Sequence, residues 1–209
     1  MALSSPHGIT PVRMRTSRFR AVQAPWRVRV VAGLLLILGG AAVAAAADLP
    51  AVGATEIGLQ SVYSFGITSN AQMVTFFPRL GQVVRVMEGS RPAVLTFAIE
   101  GIFSRVVETS HAMELGGGLL LRYRVVLPVL QPYAELGGGM LYSDLRRFDL
   151  GSRILFAAQG AVGLQIPLAG DGLAATAGYR FRHLSNAGQS RDNPGLNSNL
   201  LAVGLCYQF

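Results

Sequence analysis

From position 55 to the end of the chain, apolar side chains recur at every second residue, and the positions between them are small or polar. A period of two is the mark of a β-strand with one apolar face. The last segment shows it most plainly: Leu201, Val203, Leu205, Tyr207 and Phe209 alternate with Ala202, Gly204, Cys206 and Gln208. In 153–167, Ile154, Phe156, Ala158, Val162, Leu164 and Ile166 oppose Ala157, Gln159, Ala161, Gly163 and Gln165. The same division runs through 112–127 and 94–103, and with 55–65, a less regular 73–87, 131–142 and 173–185 it predicts eight strands. Turn chemistry separates them, as in Glu88-Gly89-Ser90 and Ala169-Gly170-Asp171-Gly172. After residue 48 no stretch is long and apolar enough for a membrane helix, and glycine recurs too often for long helices of any kind. Eight antiparallel strands close a small barrel.

The charged residues decide which face of that barrel looks inward. Glu56, Glu100, Glu114, Arg122, Arg124, Arg180 and Arg182 all share the small-residue face. A soluble barrel would need a charged exterior, and 14% charged residues is meagre for one. A transmembrane barrel instead turns its apolar face to lipid and encloses the charges, where carboxylates and guanidinium forks satisfy one another. The ending Tyr207-Gln208-Phe209 resembles the terminal aromatic signal of bacterial outer-membrane barrels. The expected class is therefore all-β, an eight-stranded antiparallel transmembrane barrel.

Charge first points elsewhere, because the net charge of +7 resembles that of a nucleic-acid binder. Position removes that reading. All the basic residues are arginine, and Arg13, Arg15, Arg18, Arg20, Arg27 and Arg29 precede the first acidic residue, Asp48. Beyond it the charges nearly cancel, so no nucleic-acid partner is expected. The arginines are followed by an apolar run from Val30 to Val43, then Ala44 to Ala47 and Asp48-Leu49-Pro50. That order predicts a signal peptide over 1–47 with an extended basic start, cleaved near Ala47, and a barrel over 48–209. Translation begins at Met1 or Met14, and the rival to cleavage is a retained helical anchor over 30–47. The one cysteine, Cys206, and two histidines beyond the leader, His111 and His183, offer neither a disulfide nor a metal cluster. No metal or cofactor is expected.

Candidate chemistry sits near the end of the seventh strand, where His183 and Ser185 continue the outward parity of Tyr179 and Phe181. Residues i and i+2 of a strand point the same way about 6.5 Å apart, within reach for an imidazole to act as the base of a serine nucleophile. The surrounding sequence is Arg182-His183-Leu184-Ser185-Asn186-Ala187-Gly188, then Asn193-Pro194-Gly195-Leu196-Asn197-Ser198. This resembles the lipid A 3-O-deacylase (PagL-type) family, an eight-stranded outer-membrane barrel with an H-x-S-N-A signature. The likeness is specific over 183–198, with a weaker echo in Pro132-Tyr133-Ala134-Glu135-Leu136-Gly137-Gly138-Gly139.

The resemblance implies removal of the 3-position acyl chain of lipid A in the bacterial outer membrane. It makes Ser185 the nucleophile and His183 the general base and later the acid. It gives Asn186 an oxyanion role, with backbone N–H groups of Gly137, Gly138 and Gly139 as companions. The family's third member falls twelve residues after the serine, and here that position is Asn197, not a carboxylate. An asparagine oxygen can fix the imidazole tautomer but cannot offset its positive charge. Asp192 on the same loop is the alternative acid. Arg146 and Arg147 are candidate contacts for lipid A phosphates. The partners expected are lipid A or lipopolysaccharide and outer-membrane lipids, with the chain a monomer or homodimer. The rival function is a non-catalytic barrel with a structural or surface-interaction role.

Overall fold

The computed structural model of the chain describes residues 49–66, 72–106, 112–144, 150–168, 172–191, 193 and 195–209. The leader, Asp192, Arg146 and Arg147 lie outside the described residues. Eight strands follow in order: β1 (Thr55–Gly66), β2 (Gln72–Met87), β3 (Ala93–Val106), β4 (Met113–Val125), β5 (Gln131–Ser143), β6 (Ile154–Pro167), β7 (Leu173–Ser185) and β8 (Leu196–Gln208). Each pairs antiparallel with the next, and β1 pairs with β8 from Glu56↔Gln208 to Gly66↔Ser198, so the sheet closes into a barrel. Closure leaves no open edge, as an apolar solvent demands of a β-structure.

The alternation expected from the sequence is the alternation observed. Ile57, Leu59, Leu80, Ile99, Leu119, Leu136, Val162 and Leu205 are exposed on the outer wall, which is the surface lipid tails would cover. Glu56, Glu100, Glu135, Arg79, Arg122 and Arg180 are buried inside. Glu135 is the hub of these charges. It accepts from Arg79 at 2.8 Å, Arg122 at 2.7 Å and Arg180 at 3.1 Å. Glu100 accepts from Arg79 at 2.8 Å and Arg180 at 2.6 Å, and Glu56 from Arg122 at 2.9 Å. Three guanidinium groups thus face three carboxylates, which offsets the cost of holding them away from water.

Two features depart from expectation. The interior is not small and polar throughout: Val62, Phe77, Ile102, Leu141, Leu155, Leu184, Leu196 and Leu200 form an apolar plug near the end away from the termini. Strand β8 begins at Leu196, five residues before the segment its apolar alternation predicts. Both have one cause. At this end the outer wall leaves the apolar band, so Asn197 and Asn199 face outward while Leu196 and Leu200 are buried inward, and the apolar-out rule reverses.

The connections orient the barrel. Those on the side of the termini, 88–92, 126–130 and 168–172, are short, whereas 144–153 and 186–195 on the other side are longer. Outer-membrane barrels place short turns in the periplasm and longer loops outside, so the end of β7 and the start of β8 lie at the outer-leaflet side.

Candidate active site

Strand β7 carries Tyr179 and Phe181 outward into the apolar band and then presents His183 and Ser185 on the same face. Ladder pairing sets His183 beside Ala158 of β6 and directly opposite Asn197 of β8, and Ser185 beside Phe156. The imidazole Nδ1 lies 2.7 Å from Asn197 Oδ1. A carboxamide oxygen only accepts, so Nδ1 carries the hydrogen and Nε2 is left as the acceptor, the state a base requires. No hydrogen bond joins His183 to Ser185 among the described residues. Hydrogen bonds between a nucleophile and its base are often long in a site without substrate, so the open contact leaves the two as candidates.

Gly195, just before β8, packs against His183. Gly195 has a φ of +67°, and a Cβ built on it would lie 2.8 Å from His183 Cε1. The glycine therefore lets the loop backbone pack directly against the ring. The sequence reading missed Gly195, although an Asn-Pro-Gly turn is a signal for a residue of positive φ. At the other end of the loop, Gln189 N–H donates to Asn186 O at 3.0 Å, and Ala187 and Gly188 take φ values of 51° and 80°. Two positive φ values in sequence make a tight turn of the hairpin kind immediately after the serine.

Asn186 holds this turn to the neighbouring loop and does not face the site. Its Nδ2 donates to Leu150 O and Ser190 Oγ, both at 2.9 Å, its Oδ1 accepts from Gly188 N–H at 2.8 Å, and its own N–H donates to Asn193 Oδ1 at 3.0 Å. The residue is fully buried. The oxyanion role expected for its side chain is corrected on this ground: alternation turns the residue after an outward Ser185 inward, and both amide hydrogens are engaged. Ser152 Oγ and Gln189 Oε1, 3.1 Å apart, add a second tie between the two loops.

Gly137, Gly138 and Gly139 are also corrected as oxyanion donors. They lie in the middle of β5, laddered to β4 on one side and β6 on the other, and β6 separates them from His183. Their absent side chains serve packing: a Cβ on Gly139 would meet Gly117 O at 2.4 Å. Two strand spacings of nearly 5 Å put them far from the serine. Among the described residues no group of three or more His, Cys, Asp or Glu is placed to hold a metal ion.

A family model described as Lipid A 3-O-deacylase (PagL) matches residues 92–205, more than half of the chain. Among solved structures, the outer membrane enzyme PagL superposes with a TM-score of 0.56 at 19% identity, covering 70% of this chain and 97% of that one. Neisserial surface protein A (NspA) superposes at 0.51 with 17% identity, covering 74% and 97%. At such identities the two structures speak for the fold alone. No curated protein matches the chain by sequence.

Proposed function

The chain belongs to the lipid A 3-O-deacylase (PagL) family, and from that premise we propose that it hydrolyses the 3-position acyl ester of lipid A by a serine mechanism carried by Ser185, His183 and Asn197. Its place is the bacterial outer membrane. The observation that carries the reading is the 2.7 Å contact of His183 Nδ1 with Asn197 Oδ1, made on the outer wall at the height where lipid headgroups begin.

The steps follow from that geometry. Ser185 Oγ attacks the ester carbonyl while His183 Nε2 takes its proton, giving a tetrahedral intermediate and an imidazolium. Collapse breaks the bond between the acyl carbon and the sugar oxygen, and His183 returns the proton to that oxygen. Water, deprotonated by His183, then attacks the acyl-serine; the bond between the acyl carbon and Ser185 Oγ breaks, His183 returns the proton to Oγ, and the fatty acid leaves. Asn197 holds the ring and its tautomer throughout. A site on the outer wall needs no channel, because substrate arrives by lateral diffusion in the leaflet.

A second reading, a barrel without catalysis, draws on Asn197 itself, since a neutral amide gives the imidazolium no counter-charge. A fluorophosphonate probe separates the two. Labelling of Ser185 in the purified barrel, lost in His183→Ala, is expected of an activated serine; an unlabelled, folded barrel contradicts the deacylase reading.

A further inference from the structure

On the wall opposite the site, four strands around from β7, a hollow of about 600 Å³ opens near the loop end of β2, β3 and β4. Two rows of outward side chains line it. Val74, Arg105 and Met113 stand in register across the three strands, and Phe76, Phe103 and Leu115 stand in register beneath them. Gly101 explains the space. A Cβ there would lie 2.9 Å from Phe103 Cε2, so the ring lies down over the glycine and vacates the wall above. Arg105 is the first charge above the outward residues Phe97, Ile99 and Phe103 of β3, and it is exposed with no ion pair among the described residues. Its height on β3 thus matches that of His183 and Ser185 on β7, where the apolar band gives way to headgroups.

We propose that this hollow is a second, non-catalytic lipid site that holds a phosphorylated, acylated glycolipid of the outer leaflet, a lipid A molecule. One acyl chain fills the apolar hollow and a phosphate meets the Arg105 guanidinium. A cation above an apolar trough is complementary to an anionic headgroup above a hydrocarbon chain, and a guanidinium grips phosphate through paired hydrogen bonds. The inference rests on the membrane placement and not on catalysis, so it stands or falls independently of the proposed activity.

The test uses a tryptophan reporter. The only native tryptophan is Trp26. Leu115→Trp is introduced into the full chain carrying Trp26→Phe and Ser185→Ala, so that lipid A is not consumed. In bilayers of brominated phosphatidylcholine the reporter is quenched, and unbrominated bisphosphorylated lipid A relieves the quenching if it occupies the hollow. The expected result is relief at about fivefold lower mole fraction than simple dilution predicts, and a return to dilution behaviour with Arg105→Gln or with dephosphorylated lipid A. Inorganic phosphate should change nothing. Relief equal to dilution in the unmodified site, or a preference that survives Arg105→Gln, overturns the proposal. A reporter never quenched, because a second copy of the chain covers it, overturns it equally.

Discussion

At the scale of single residues the site depends on how His183 is held. Asn197 accepts from its Nδ1 without charge, so in the proposed mechanism a carboxylate at the same distance should stabilise the imidazolium. Asn197→Asp is expected to raise kcat by at least about tenfold with little change in KM, while Asn197→Leu should lower it by about a hundredfold or more; initial rates on purified lipid A measure both. Gly195 holds the ring from the loop side. Gly195→Ala places a methyl 2.8 Å from His183 Cε1 at a φ of +67°, and should cut kcat by about tenfold while the barrel keeps its heat-modified mobility on gels. Asn186 was legible as part of a motif, but its role was not. Which neighbour a carboxamide bonds is decided by tertiary contacts such as Leu150 O, far away in sequence. Asn186→Ala should therefore destabilise the two loops by about 1–3 kcal/mol and raise their proteolytic sensitivity, with activity falling as a consequence.

At the scale of elements, parity does most of the work. It was readable wherever a strand crosses the apolar band, because one face meets lipid and the other meets the charged interior. Hence Ile99 on β3 is outward and Glu100 inward, as alternation predicts. An Ile99→Arg substitution on that outer face should cost about 2–4 kcal/mol in refolding into lipid bilayers, far more than the same change at an exposed loop. Parity misled at β8, whose first turn-proximal residues sit above the band. There the apolar side chains Leu196 and Leu200 join an internal plug, and outward polarity at Asn197 and Asn199 reads as loop to any rule that expects apolar residues outside. The glycine run of β5 shows the opposite error. Its composition fits a close approach by a headgroup, but the approach is by the backbone of β4.

At the scale of the whole molecule, a closed wall around an ion-pair network holds His183, Ser185 and Asn197 together on one outward face. The network had a partial signature: Glu56, Glu100, Arg122 and Arg180 were readable on the small-residue face, but the joining of Glu135 to Arg79, Arg122 and Arg180 needed the closed barrel to appear. Removing that hub leaves three guanidinium groups short of a partner. Glu135→Ala should destabilise the barrel by about 3–5 kcal/mol, read as a lower urea midpoint for unfolding, without altering the site directly. The central claim concerns what that face presents to the outer leaflet. Mass spectrometry of lipid A from a Gram-negative host expressing the chain, beside Ser185→Ala and His183→Ala at equal outer-membrane levels, tests it most directly. The account predicts loss of one 3-position acyl chain with the intact site alone. Unchanged lipid A in every strain, with the barrel correctly inserted, would contradict it.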